Sequence, residues 1–136
     1  MPNFAPIFTL VARAAWANNV TAANIAKDGT GTVNTVFTAE ATSGSYVQKL
    51  IVRPLGTNVA SVLRVFLNNG LTNVTAANNV LIGEVGLPAT TLSEVAALAG
   101  TEFPLNIPIP PGYKINVTLG TAVAAGYAVT AMGGDY

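Results

Sequence analysis

The 136-residue sequence contains neither cysteine nor histidine. Without a thiol there is no disulfide framework, no thiolate nucleophile and no zinc–thiolate site. Without an imidazole the chain cannot build a Ser-His-Asp arrangement for acyl transfer. These two absences exclude thiol chemistry and the commonest class of serine hydrolases.

Charge is also scarce. Six Lys plus Arg balance six Asp plus Glu, and charged residues make up 9% of a chain that is 51% hydrophobic. Nucleic-acid binding needs clustered positive charge to neutralise phosphates, so this balance argues against a nucleic-acid partner. The same composition leaves little charge to keep a free monomer dispersed, and we expect apolar surface to be covered in an assembly. The alternative is a self-contained sandwich with a Thr and Asn surface.

Long apolar runs are missing as well. None approaches the roughly 18 residues that a membrane-spanning helix needs, so no membrane partner is expected. The first apolar run is not preceded by basic residues and contains Arg13, which argues against a signal peptide. We therefore expect synthesis in the cytoplasm.

What the sequence does contain is strand patterning, most clearly in residues 46–69. This stretch predicts two strands that are apolar on both faces, which is typical of strands with covering layers on each side. A tight turn from Pro54 to Asn58 joins them, and Gly56 and Asn58 are expected to supply positive φ there.

Six further segments carry strand signals separated by Gly, Pro and Asn turns. They are residues 6–18, 32–40, 80–87, 103–109, 113–119 and 127–132. Residues 90–98 predict a single helical turn.

Several of these segments carry positional signals. Pro104 and Pro108 confine their strand to a sheet edge, and Gly83 permits a bulge or a close backbone approach. In residues 113–119 the apolar side chains alternate with polar ones and are expected to point inward. The pattern predicts an all-β single domain over residues 1–136, a two-sheet β-sandwich of about eight antiparallel strands with jelly-roll topology. An immunoglobulin-like sandwich fits less well.

Catalytic motifs are weak. Asp28–Thr32 resembles the aspartyl-phosphate loop of P-type ATPases, but Gly29 stands where that motif has lysine, and a turn is the better interpretation. The acidic residues are isolated in sequence, so a carboxylate pair for sugar hydrolysis or calcium is a minor alternative. We predict no enzyme activity, no cofactor and no metal.

Four aromatic side chains near the ends of the chain are candidate assembly contacts. They are Phe4, Phe8, Trp16 and Tyr136. The alternatives are core packing, chiefly for Phe8 and Trp16, or an aromatic platform for carbohydrate.

Residues 46–136 resemble the jelly-roll cement, or decoration, proteins of tailed-bacteriophage heads. The resemblance is clearest at Arg53–Asn58, Pro111–Tyr113 and Gly133–Tyr136. It implies a homodimer, made in the host cytoplasm, that binds the outer surface of the virion capsid and bridges subunits of the major capsid protein. Residues 1–5 and 133–136 are then expected to act as assembly arms.

A rival hypothesis comes from the same fold. Jelly rolls also serve as carbohydrate-binding or receptor-binding modules of phage tails and fibres, since a fold does not fix a function. That hypothesis predicts an exposed aromatic cluster that contains Trp16 and a tyrosine.

Overall fold

The computed structural model describes residues 8–136, in which eight strands form two antiparallel four-stranded sheets. The strands are β1 (Val11–Val20), β2 (Asn34–Thr38), β3 (Ser45–Pro54), β4 (Ser61–Asn68), β5 (Asn79–Leu87), β6 (Thr101–Ile109), β7 (Lys114–Leu119) and β8 (Tyr127–Asp135). A short 3-10 helix, Ala76–Asn78, precedes β5. No helix in the described part of the chain is long and apolar enough to span a bilayer.

The strand order is that of a jelly roll. Sheet A has the order β1-β8-β3-β6 and sheet B the order β2-β7-β4-β5, and every pairing is antiparallel. Every connection between strands except β4–β5 passes from one sheet to the other. This confirms the predicted two-sheet, eight-stranded β-sandwich.

The hydrophobic core lies between the sheets. Ile115, Val117 and Leu119 point into it, as the alternation of their segment predicts. Completely buried side chains from both sheets meet there, at roughly 1.5–3 kcal/mol of burial free energy for each large one. They include Leu50, Val52, Val129, Leu63, Val65 and Val117.

The connection after β3 differs from its prediction. β3 and β4 lie in opposite sheets, so residues 54–60 cross the sandwich instead of closing a hairpin. Neither Gly56 nor Asn58 has positive φ. Asn58 is buried, and its side chain donates to Gly126 O (3.0 Å) and accepts from the N–H groups of Ala125 and Gly126 (both 2.9 Å). Asn58 therefore makes tertiary hydrogen bonds, and its preference for turns was misleading.

A β-bulge at Gln48 also changes the faces of β3. The register shifts between Val47 and Lys49 in the pairing with both neighbours. As a result Val47, Leu50 and Val52 are all buried, whereas strict alternation places Val47 on the opposite face from the other two. Sequence periodicity alone does not reveal where such an extra residue lies.

Two positional signals in the sequence are confirmed. β6, with Pro104 and Pro108, is an edge strand of sheet A. Gly83 directly follows the bulged residue Ile82 of β5, and a Cβ there would collide with the ring of Phe103 from the other sheet. The glycine therefore permits a close approach of the two sheets.

The predicted helical turn at residues 90–98 is wrong. Ser93 Oγ accepts from the N–H groups of Val95 and Ala96, both at 3.2 Å, but no helix follows this cap. Val95 is 98% exposed, so the segment has no packed apolar face. Short helices depend on such packing, because propensity alone does not cover the cost of nucleation.

The outer face of sheet B is covered by the chain's own loops, residues 21–33 and 69–78, and we call it the covered face. Asn24 N donates to Leu119 O at one end of the sheet, and Gly29 packs against Asn79 at the other end. Residues 24–29 therefore cross this face. The crossing accounts for Phe66, which lies on the outer side of β4 and has 0% exposure.

The covering loops are fastened by asparagines. Asn73 Nδ2 donates to Gly29 O (3.2 Å) and Gly31 O (2.8 Å), and Asn24 Nδ2 donates to the carbonyls of Thr30 and Thr32, both at 2.8 Å. Two loops from distant parts of the sequence thus hold the same short turn. Gly29 and Gly31 have positive φ, so the predicted turn is present there.

Candidate functional site

The outer face of sheet A is bare among the described residues, and we call it the open face. Its members follow from register: Trp16 lies beside Thr130, which lies beside Ile51, and all three point away from the core because Val129 and Ala131 point into it. The open face consists of Ala12, Ala14, Trp16, Tyr46, Lys49, Ile51, Arg53, Glu102, Pro104, Pro108, Thr130 and Met132.

Trp16 is the largest exposed apolar group on this face, at 65% exposure. Its neighbours along the strand, Ala14 and Ala12, are small, so the indole stands above a shallow surface. Core packing is therefore not the role of Trp16, nor of Phe8, which is also exposed. An exposed tryptophan on a smooth sheet face is typical of a contact surface.

An aromatic pocket of about 250 Å³ lies at one end of the open face. Phe8, Thr9, Tyr46 and Tyr136 line it. Thr9 lies directly over Gly134, where any Cβ would be within 2.8 Å of the threonine Cβ. The absence of a side chain at Gly134 thus lets the N-terminal end of the described chain cross β8 and close the pocket.

The structure brings two of the predicted contact residues, Phe8 and Tyr136, into one pocket, and it places Trp16 on the same face about 13 Å along β1. Phe4 lies outside the described residues. Tyr46 was missed as a contact residue because the sequence predicted covering layers on both faces of its strand. Its hydroxyl donates to Asn106 Oδ1 at 3.1 Å, which holds the ring at the pocket wall.

The C-terminal residues that the sequence suggested as an arm are largely part of β8. Gly133 and Asp135 pair with β1 on one side and with β3 on the other, and Tyr136 N donates to Gly44 O. Residues 1–5, the other proposed arm, lie outside the described residues. Whether either segment contributes to assembly stays a prediction.

Asp135 ties three strands together beneath the pocket. Its Oδ1 accepts from Arg13 Nη1 at 3.2 Å and from Ser45 Oγ at 2.5 Å. The Arg13 guanidinium also stacks over the ring of Phe37, 4.5 Å from the centroid. This set links β1 of sheet A to β2 of sheet B and fixes the end of the open face.

The remaining acidic residues that make hydrogen bonds stabilise turns and cross-strand pairs. The side-chain and backbone bonds from Thr30 lower the pKa of Asp28, and the N–H groups of Ser43 and Thr42 lower the pKa of Glu40. Lys49 and Glu102 form an exposed ion pair on the open face at 3.2 Å. Within residues 8–136, no three acidic side chains lie close enough to form a metal site.

Comparison with protein-family models, with curated proteins and with solved structures yields no match to this chain. The described surface of sheet A consists of a smooth sheet face, one prominent indole and an aromatic pocket at its end.

Proposed function

We propose that the chain is a structural virion protein that binds the outer surface of a phage capsid. In this role it bridges neighbouring subunits of the major capsid protein and so stabilises the shell, as a homodimer made in the host cytoplasm. Support comes from the resemblance of residues 46–136 to phage cement proteins and from the jelly-roll fold. The observation that carries the proposal is the open face, an uncovered sheet surface in a chain of low charge.

The open face suits a partner that is itself flat and extended. The small side chains of Ala12 and Ala14 let another surface approach closely, and Met132 lies beside Ala14 on the neighbouring strand β8. Apolar area removed from water contributes about 25 cal/mol per Å², which gives each copy a modest affinity. A shell repeats the contact many times, and a dimer that engages two subunits at once gains effective concentration.

The charge pattern of the open face predicts how binding responds to salt. Lys49 and Glu102 pair across β3 and β6, Arg53 adds one further positive charge to the open face, and the whole chain has no net charge. Shell binding is therefore expected to change little between low and physiological ionic strength, because few counterions are displaced.

The test is co-sedimentation of the purified chain with expanded capsid shells that lack it, over a concentration series. Saturation at a fixed ratio to the major capsid protein, with shells that then survive higher temperature, is the expected result. Met132→Glu places a charge in the middle of the open face and should weaken binding at least about tenfold. Ile25→Glu adds the same charge to an exposed apolar site in a loop over the covered face and should leave binding unchanged.

A second candidate function is favoured by the aromatic pocket. Phe8, Tyr46 and Tyr136 offer ring faces on which a sugar can stack, as expected of a carbohydrate-binding module of a phage tail or fibre. If the chain is such a module, it fails to bind shells and binds glycans saturably on an array. Tyr46→Ala then abolishes the glycan binding. Shell binding that is insensitive to Tyr46→Ala and absence of glycan binding would remove this candidate.

A further inference from the structure

The four sheet edges of the sandwich differ in how they are protected against pairing with another strand. β6 carries Pro104 and Pro108, β5 contains two glycines and a bulge, and β2 has only five residues. β1 has ten residues without proline or glycine, its first seven (11–17) precede the register irregularity between Ala17 and Val20, and within residues 8–136 no strand pairs with its outer edge. Natural sheets normally protect such an edge, so a long unprotected one indicates a partner.

The hydrogen-bonding groups at this edge can be assigned from the neighbouring strand. Tyr136 N donates to Gly44 O, on the β3 side of β8. The preceding residue, Asp135, therefore directs its backbone N–H and C=O groups toward β1. Backbone polar groups alternate in direction along a strand, so β1 residues paired with Asp135, Gly133 and Ala131 bond to β8. Ala12, Ala14 and Trp16 lie between those residues and direct their N–H and C=O groups to the open edge.

We infer that β1 is the seam of a two-fold homodimer, in which it pairs antiparallel with β1 of a second copy, centred on Ala14. In this register Ala14 faces the partner subunit's Ala14, and Trp16 faces the partner subunit's Ala12. About six backbone hydrogen bonds form, since each of the three facing pairs exchanges two. The two sheets A then join into one eight-stranded sheet.

The side chains of β1 are self-complementary in that register. Each indole lies over a partner alanine, where no larger group blocks it, and can bury on the order of 150 Å². On the inner side Arg13 faces the partner subunit's Ala15, so the two guanidinium groups do not oppose each other. The register also uses only residues 11–17, ahead of the irregularity between Ala17 and Val20.

The strength of this seam is comparable with natural interfaces. Those carry about ten direct hydrogen bonds with wide scatter and are anchored by a few aromatic side chains near the centre. The seam has about six bonds, two tryptophans near its two-fold axis and no net charge to repel the copies. It would also unite two open faces into one continuous surface, which specifies the homodimer of the proposed function.

The first experiment is sedimentation velocity of the full chain over a concentration series. The expected result is a reversible dimer, and Trp16→Ala should raise its dissociation constant at least about tenfold. Ala14→Pro removes an N–H that points only to the open edge and should give a folded monomer, since proline is tolerated on edge strands. Ala14→Ser keeps that N–H and should remain dimeric. A wild-type monomer at every concentration, or a folded Ala14→Pro dimer, would overturn the inference.

A second measurement does not depend on how any variant folds. Amide hydrogen exchange of the wild-type chain should slow at Ala12, Ala14 and Trp16 as concentration rises through the dimer transition, by about tenfold or more. Exchange at these amides that is the same in monomer and dimer would contradict the seam. A dimer that does not bind shells would overturn the capsid-binding role and leave the seam standing. A monomer that binds shells would overturn the seam and the homodimer and leave the capsid-binding role standing.

Discussion

The two outer faces of the sandwich differ in whether the rest of the described chain packs over them: the covered face lies beneath loops, and the open face does not. Phe66 on the covered face of sheet B has 0% exposure, whereas Trp16 on the open face of sheet A has 65%. Both are aromatic side chains on strands that alternate between core and exterior. The difference lies in the loops: residues 21–33 and 69–78 fold over sheet B, and the described chain has no such segment over sheet A.

Two buried asparagines of the covered face find hydrogen-bond partners within the same chain. Asn68 and Asn116 are buried there, and they bond to Asn79 and Thr35 respectively. The open face has no comparable cover, and its largest apolar group is left in solvent. The loops of the described chain therefore cover one outer face of the sandwich and leave the other exposed.

The largest expected effect tests burial on the covered face. Phe66→Ala should lower the free energy of unfolding by about 3–5 kcal/mol, because a fully buried ring leaves a cavity. Trp16→Ala on the open face should change it by no more than about 0.5 kcal/mol, measured by chemical denaturation at a concentration too low for dimers. A large loss with Trp16→Ala would make the open face part of the folded core and abolish the contrast.

A smaller loss of stability is expected when the hydrogen bonds that hold the covering loops are removed. Asn73→Ala removes two hydrogen bonds to the carbonyls of Gly29 and Gly31 and should cost about 1–2 kcal/mol. Amide exchange should accelerate locally, at residues 29–32, and not in the strands of sheet A. Thr130→Ala on the open face is the control and should alter neither stability nor exchange. Equal effects from the two variants would mean that the loops do not form a fastened cover.

The two ion pairs of sheet A should also differ in how much they contribute to the free energy of unfolding, with the more buried pair contributing more. The Asp135 side chain is 17% exposed and accepts from Arg13 and Ser45, so Asp135→Asn should cost about 1–3 kcal/mol. Glu102, on the open face, is 62% exposed, and Glu102→Gln should cost less than about 1 kcal/mol. Thermal denaturation of both variants measures the contrast. A greater loss for Glu102→Gln would show that the open face holds the sheet together.

The smallest expected effect is on the stability of the protein at acidic pH. Hydrogen bonds from Ser43 and Thr42 hold the pKa of Glu40 below its ordinary value of 4.5. A carboxylate with a lowered pKa in the folded state stabilises the protein above pH 4.5, and this contribution is lost as the pH falls through the folded value. Glu40→Gln should therefore flatten the acid end of a stability-versus-pH curve.

The control for Glu40 is Glu94→Gln. Glu94 accepts no hydrogen bond within residues 8–136, so its replacement should leave the curve unchanged. An equal change in both variants would show that Glu40 acts through general charge, and its turn contacts would then contribute nothing specific.

Much of the architecture was readable from the sequence because it depends on short-range rules. Alternation in residues 113–119 placed Ile115, Val117 and Leu119 in the core, and two prolines identified β6 as an edge. Gly83 indicated a position where another part of the chain approaches the strand closely. Each of these signals arises from the geometry of one strand and its own side chains, so no distant residue is needed to interpret it.

The contact surface was only partly readable. Trp16, Phe8 and Tyr136 were singled out as aromatics near the ends, but sequence alone did not separate contact from core packing. Tyr46 was not singled out because the sequence predicted covering layers on both faces of β3, and the pattern did not show the bulge at Gln48 that puts Tyr46 on the opposite face from Leu50. An extra residue in a strand leaves no mark in a hydrophobic pattern that is apolar on both sides.

The sequence by itself determined the strand content, the edge position of β6 and the poverty of charge that favours assembly. Only the tertiary structure decided that β3 and β4 lie in different sheets, that asparagine-rich loops cover sheet B and that β1 is left as an unprotected edge. The physical reason is range: strand formation depends on neighbours one or two residues apart. Sheet membership and loop coverage instead depend on contacts such as Asn73 to Gly29 and Asn58 to Gly126, which no local pattern encodes.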